Sequence, residues 1–171
     1  QKTAYEIYQC DWSSDVCSSD LNLLRERVSI RDSVTIFEAL GEAAAMTKNP
    51  TLLTEYARQA IRRLVVKPYL NATGELPSFF LDSQLEQMVE SAVEYTDQTS
   101  HLNLPPQKLR ELLDKTARSV GTLESPTAVL VSSSARFFFR QIVEGTLPNL
   151  SVLSHNEIPP GVRVVSIGLI Q

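Results

Sequence analysis

The sequence has little of the residue types on which several common chemistries depend. Both cysteines, Cys10 and Cys17, lie in the first 21 residues, so residues 22–171 contain none. A disulfide framework and a thiolate zinc site are therefore excluded for that part of the chain. The two histidines, His101 and His155, are too far apart in sequence to form a His-x-x-x-His motif. We predict no metal site.

Phosphate-binding glycine motifs and long apolar runs are also missing. The six glycines are scattered, and neither Gly-x-x-x-x-Gly-Lys-Ser/Thr nor Gly-x-Gly-x-x-Gly occurs. We therefore expect no nucleotide and no other cofactor. No apolar run reaches the roughly 18 residues that a membrane-spanning helix needs, so this sequence encodes no such helix.

Residues 1–21 look foreign to the rest of the chain. Their two pieces, QKTAYEI and CDWSSDVCSSDL, back-translate without a frame shift into the constant halves of a short-read sequencing adapter. Translated scars of this kind are set aside in reasoning about folds. We therefore expect residues 1–21 to be a disordered, non-native leader. Residues 22–171 are expected to be the C-terminal fragment of a longer gene product.

The leader also accounts for most of the net negative charge. The whole chain has 16 Lys and Arg against 20 Asp and Glu, and the leader holds one lysine and four of the acidic residues. The remaining 15 basic and 16 acidic residues nearly balance. A chain of this kind has no strong field to attract nucleic acid or an anionic membrane surface, so we predict neither as a partner.

The first half of the chain shows helical periodicity. Ser29 and Asp32 have the spacing of a capping box, and apolar residues follow at helical intervals. Asn49 and Pro50 then provide an N-cap and a first-turn proline. Breakers cluster after Lys67. We predict a helical subdomain over residues 22–70.

The second half alternates between strand and helix signals. TAVLV at residues 127–131 is an uninterrupted apolar run, typical of a strand buried on both faces. A serine-capped helix and two further apolar strands follow it. We predict an α+β protein, with a small α/β subdomain over residues 71–171. Its expected order is β-α-α-β-α-β-β around a short mixed sheet.

One polar cluster could suggest catalysis. Ser154, His155 and Glu157 supply a nucleophile, a base and an acid within four residues. In an extended segment, however, Ser154 and His155 point to opposite faces, and no Gly-x-Ser-x-Gly elbow is present. We favour a strand-to-turn corner whose polar groups bond nearby backbone. A small hydrolase that uses Ser154 and His155 is the alternative.

Three consecutive phenylalanines predict a contact surface on one helix. Residues 137–139 span about 200° of helical arc, which is too wide for all three rings to face one core. One ring should therefore be exposed or packed against another protein, and we choose Phe138 as the candidate partner contact. A sheet-covering helix with a single outlier is the alternative.

Several stretches together resemble a known family. NLLRERVSIRD at residues 22–32 precedes TIFEAL at residues 35–40, and LPNLSVLSHNEIP occupies residues 147–159. With the final strand, these stretches resemble the cytoplasmic C-terminal region of the FHIPEP family, which comprises flagellar and injectisome export-gate proteins. The likeness extends over essentially all of residues 22–171.

The resemblance implies a binding role without enzymatic activity. Members of the family form a ring beneath a membrane export gate and receive chaperone–substrate complexes and other export-apparatus proteins. Where the family chain leaves its first subdomain, Arg27, Arg31 and Asp32 are candidate contacts with a neighbouring subunit or with the upstream subdomain. The flagellar assignment is preferred, the injectisome homologue is the nearest alternative, and a free-standing regulatory binding domain is another.

Overall fold

The computed structural model describes residues 14–96, 98–123 and 125–171, which form two compact units. The first unit ends at Ile61 and also takes in Tyr95–Ser100. The second unit comprises Arg62–Glu94 and His101–Gln171.

The second unit therefore begins before the boundary that the sequence predicted at residue 70. The reason lies in helix α4, Arg62–Val66, which buries Val65 and Val66. This helix contacts the 3₁₀ turn His155–Glu157, which belongs to the second unit. The boundary between the two units is therefore determined by packing and not by the position of the helix-breaking residues after Lys67.

Among the described residues, the first unit has three helices: α1, Ser14–Arg25; α2, Ser33–Ala43; and α3, Pro50–Ala60. The periodicity predicted α2 and α3 but not α1. Both α1 and α2 pack against α3. The aliphatic side chains that they bury are Leu23, Ile36, Leu40, Ala43, Leu53 and Ala57.

The expectation of a disordered leader is wrong for residues 14–21, because they form the first part of α1. Ser19 and Leu23 lie one helical turn apart, and both are buried. Packing of α1 against α3 thus extends order into the leader. Residues 1–13 lie outside the described residues, and the adapter origin of residues 1–21 stays a prediction.

One of the two predicted helix starts is confirmed, and the other lies further along the chain. Asn49 caps α3 by accepting a helix amide at 3.0 Å, and Pro50 stands at the first turn, as predicted. The capping box predicted at Ser29 is replaced by a later start. Asp32 is itself the N-cap of α2, and its Oδ1 accepts the Thr35 N–H at 3.4 Å. A carboxylate is a strong N-cap, so the helix begins beyond it.

Beyond α4, helices and strands alternate. First come a 3₁₀ turn at Lys67–Tyr69, β1 at Leu76–Leu81, α5 at Ser83–Ser91, β2 at Val93–Tyr95 and β3 at Ser100–Leu102. Next come α6 at Pro106–Val120, β4 at Thr127–Val131, α7 at Ser133–Val143 and β5 at Leu150–Ser154. The 3₁₀ turn at His155–Glu157 and β6 at Val164–Ile170 complete the chain.

Four strands form one sheet in the order β5-β4-β1-β6, and every neighbouring pair is parallel. The expectation of a mixed sheet is therefore corrected. Each connection returns the chain to the same end of the sheet, and helices provide the crossovers from β1 to β4 and from β4 to β5. The sequence missed β2 and β3, which pair separately, because three residues are too few for a clear alternation.

The centre of the second unit lies around β4, whose residues from Ala128 to Val131 are all buried, as predicted for a strand covered on both faces. On one face, the sheet and helices α5, α6 and α7 share a core that includes Phe79, Leu81, Leu112, Val129, Val131, Phe138, Phe139, Val152 and Ile170. Elsewhere, Tyr69 Oη donates to Ser151 Oγ at 2.8 Å and ties the first 3₁₀ turn to β5.

Candidate functional site

The loop between α1 and α2 carries three of the four predicted partner contacts. Arg27 closes α1 in the left-handed region, with φ of 59°. Its N–H donates to the Leu24 carbonyl at 2.9 Å, and the Val28 N–H donates to the Leu23 carbonyl at 2.9 Å. These two bonds form a Schellman turn with Arg27 at C′. The backbone of Arg27 is thus fixed while its side chain is exposed.

The other two charged residues of this loop are also exposed. Arg31 directs its side chain into solvent, whereas the Asp32 carboxylate is engaged in capping α2. A partner that contacts Asp32 would therefore meet a carboxylate that already accepts one hydrogen bond. Arg31 is the more available of the two for an ion pair.

Exposed aliphatic side chains accompany these charges. Leu24, Ile30 and Val34 are all exposed in the same stretch of chain. Exposed apolar side chains rimmed by polar ones mark protein-interaction sites more often than ordinary surface. We call the set Leu24, Arg27, Ile30, Arg31 and Val34 the α1–α2 surface.

The fourth predicted contact, Phe138, does not lie at the surface, so that prediction is wrong. This residue lies in the core of the second unit with only 1% of its surface exposed, so no partner reaches it in the folded chain. Phe137 is the outlier that the helical arc required, because it is only partly buried against that core. The two rings meet edge to face, with centroids 5.4 Å apart and planes at 86°.

The serine and histidine of the possible hydrolase do not converge. Ser154 is buried and forms a capping box with Glu157, whose Oε2 accepts the Ser154 N–H at 2.9 Å. His155 is exposed, and its ring centroid lies 6.3 Å from that of Phe80. The cluster is therefore the strand-to-turn corner that we favoured, with polar groups bonded to local backbone.

A cluster of serines and glutamates joins α5 to α7, and no sequence pattern predicted it. Glu90 Oε1 accepts from the hydroxyls of Ser132 and Ser134, and Glu86 Oε1 accepts from the Ser132 N–H. Hydrogen bonds from Ser132 and then Ser134 lower the pKa of Glu90 below its ordinary value. These contacts satisfy the start of α7 and hold it against α5. The role of these contacts is therefore structural.

The described part of the chain has neither a metal-binding cluster nor a membrane-spanning helix. No cluster of three or more His, Cys, Asp or Glu side chains there is arranged to hold a metal ion. None of the described helices is long and apolar enough to cross a bilayer. The features that stand out are surfaces suited to protein contacts.

Two curated proteins are similar to most of this chain. Flagellar biosynthesis protein FlhA of Bacillus subtilis is 33% identical over 151 residues, which is 86% of this chain and 22% of that protein. Low calcium response locus protein D of Yersinia pestis is 30% identical over 151 residues, which is 86% of this chain and 21% of that protein. The chain thus spans about a fifth of the length of these relatives.

Solved structures match nearly the whole fold. The Chlamydia pneumoniae CdsV protein matches with a TM-score of 0.89 and 27% identity over 98% of this chain and 49% of its own. CdsV in complex with CdsO gives 0.88 and 26% over 98% and 50%. Nonameric EPEC SctV-C gives 0.86 and 25% over 97% and 51%. The sequence profile of the FHIPEP family matches residues 14–163, and this chain therefore belongs to the FHIPEP family.

Proposed function

We propose that this chain belongs to the cytosolic part of a type III protein-export gate and that it acts by binding other proteins, without catalysis. The observation that carries the proposal is the likeness to CdsV over nearly the entire chain. In the intact protein, membrane helices would precede this region and hold it at the cytoplasmic face of the inner membrane. Its role there is to dock export substrates, their chaperones and proteins of the ATPase complex.

Two similar structures support the choice of partners. One is a complex of CdsV with a second protein, CdsO, and another is a nonamer of SctV-C. We infer that copies of the intact protein form a ring and that this ring presents docking surfaces to other export proteins. The near-neutral charge of residues 22–171 fits protein partners better than nucleic acid.

The α1–α2 surface is our candidate for contact between neighbouring copies. Its aliphatic members would be covered on assembly, while Arg27 and Arg31 would form the polar rim together with Asp32. An exposed ion pair at such a rim contributes only about 0–1 kcal/mol. Charge reversal, which adds repulsion, is therefore a sharper test than neutralisation.

The proposal is tested by replacing the matching segment of Bacillus subtilis FlhA with this chain and measuring swimming and flagellar protein secretion. We expect the chimera to support both and its Arg31→Glu variant to lose ring assembly and motility. Arg110→Glu, at an exposed position on α6, is the matched control and should behave as the parent. A chimera that assembles but never exports would contradict the function. Normal rings with Arg31→Glu would contradict the surface alone.

An injectisome role is the second candidate, since protein D of Yersinia pestis is nearly as similar as FlhA, at 30% against 33%. The same segment exchange in protein D separates the two. Rescue of virulence-protein secretion without rescue of motility would assign the chain to an injectisome. The reverse result would assign it to a flagellum.

A further inference from the structure

The outer edge of β6 is an open hydrogen-bonding edge. β6 is the last strand of the sheet order, and no other described strand pairs with its outer side. The carbonyls of Arg163 and Ile170 accept backbone N–H groups from the β1 side at 2.8 Å and 2.9 Å. Because these groups alternate in direction along a strand, those of Val164, Ser166 and Leu169 point away from the sheet.

This edge is apolar and uncharged. Val164–Ile170 reads VVSIGLI, with no charge and no proline within seven residues. Ile167 and Leu169 are 47% and 49% exposed, and Leu169 lies in register with the half-buried Phe80. Natural edges are normally shortened, charged or covered, so an edge of this length with which no described strand pairs is a candidate for pairing with another chain.

The opposite edge of the same sheet shows the contrast. β5 has only five residues, four of which are buried, and the capped 3₁₀ turn at His155–Glu157 follows it directly. The β5 edge is thus shorter and its residues are more deeply buried than those of β6. The register shift at Ile167 bends β6, and no described strand pairs with its outward groups.

We propose that the outer edge of β6 receives an extended peptide segment of a partner protein, acidic at one end and otherwise uncharged, which adds to the sheet as a fifth strand. Main-chain hydrogen bonds would supply the affinity, and apolar side chains at every second position would cover Ile167 and Leu169. Arg163, whose side chain is 81% exposed and 3.4 Å from Glu75, flanks the start of the edge. An acidic residue at the adjoining end of the peptide would complement it.

The choice of a foreign segment over a second copy rests on the proposed function. Two β6 edges that pair with each other would be related by a two-fold axis and would form an isologous contact. Neighbours in a nonamer such as SctV-C are related by a nine-fold rotation, which is a heterologous arrangement. Pairing of β6 with β6 is therefore incompatible with a ring of that kind.

The test is a titration of the ¹⁵N-labelled full chain, as a monomer, with the blocked peptide acetyl-Glu-Thr-Val-Thr-Val-Thr-Val-Thr-amide. We expect the amide signals of Val164, Ser166 and Leu169 to shift and their hydrogen exchange to slow. A peptide with the same side chains but N-methyl groups on alternate residues is the matched probe. It should bind at least about tenfold more weakly, because it cannot form the ladder.

Variants of the chain complete the test. Leu169→Lys changes an exposed side chain and should weaken peptide binding about tenfold. Met46→Lys makes the same kind of change at an exposed position in the first unit and should leave binding unchanged. Equal binding of the N-methylated peptide, or shifts confined to other strands, would overturn the proposal.

Further results distinguish failure of the edge proposal from failure of the proposed function. Concentration-dependent broadening of β6 signals without peptide would assign the edge to a second copy and would also overturn the proposal. The titration does not require a ring. If the chain binds the peptide but the chimera fails in export, only the proposed function is contradicted. A chimera that exports while the chain binds no peptide would sink the edge proposal alone.

Discussion

Arg58 donates from Nη1 to Oε2 of Glu26 over 2.8 Å, and these two side chains are only 2% and 8% exposed. The pair joins α3 to the residue that directly follows α1, at the beginning of the α1–α2 loop. A buried guanidinium of this kind is costly unless its partner is present. The contact therefore holds the end of α1 against α3, next to the α1–α2 surface.

We predict that Glu26→Ala lowers the free energy of unfolding by about 3 kcal/mol, because it removes one partner of a buried ion pair. Urea denaturation followed by circular dichroism measures the change. Glu111→Ala breaks the exposed contacts of Glu111 with Lys108 and Lys115 on α6 and should leave the midpoint unmoved. Equal effects of the two substitutions would contradict the importance of burial.

Arg27→Gly should stabilise the chain by about 0.5 kcal/mol. Glycine adopts positive φ without the steric cost that arginine incurs at 59°, and this gain exceeds the extra entropy of the unfolded chain. Arg25→Gly, inside the last turn of α1, should instead cost about 1 kcal/mol. Thermal unfolding distinguishes the two, and loss of stability in Arg27→Gly would indicate a contact made by the arginine side chain.

Gly168→Ala should destabilise the second unit by about 2 kcal/mol. A Cβ at this position would lie 2.7 Å and 2.8 Å from two ring carbons of the buried Phe79. Phe79→Ala removes both carbons, so the double variant should lose less stability than the two single variants combined. Gly145→Ala meets no atom within 4 Å and serves as the control. Simple additivity would contradict the clash.

Glu90 should make the stability depend on pH in the acid range. Its pKa is lowered from 4.5 in the folded chain by hydrogen bonds from Ser132 and Ser134. Such a group stabilises the fold above its unfolded pKa, and this stabilisation disappears as the pH falls through the lower folded pKa. Wild type should therefore exceed Glu90→Gln in stability at pH 7, with the difference shrinking below about pH 4.5.

Urea unfolding of both forms between pH 7 and pH 3 measures that difference. Ser134→Ala should reduce the pH-dependent part, because it removes one of the two hydroxyl donors to Glu90. A gap between wild type and Glu90→Gln that stays constant across this range would contradict the role assigned to the carboxylate.

Local patterns were enough to predict much of the fold. The uninterrupted run from Thr127 to Val131 identified β4 as a strand buried on both faces, and Asn49 with Pro50 marked the start of α3. These signals depend on residues within one or two turns of each other. The parallel direction of the sheet was missed because it depends on connections between strands rather than on the strands themselves.

The contacts that shape the candidate surfaces depend on distant residues. Arg58 and Glu26 are 32 positions apart, and Glu90 lies 42 positions from Ser132. No periodicity connects such pairs. Phe138 shows the same limit, since helical geometry established that one of three rings faces outward but could not say that Phe137 was that ring. The resemblance to a family supplied the function, which these residues alone do not specify.

The place of β1 between β4 and β6 has a consequence for biosynthesis. β1 leaves the ribosome long before either neighbour, and both of its flanks must wait for strands encoded much later. Sheets that depend on such distant pairings form slowly, and their aggregation-prone segments stay exposed until they pair. A nascent chain that stalls before Val164 would hold Leu76–Leu81 with one flank bare, which would make it a natural client for cellular holdases.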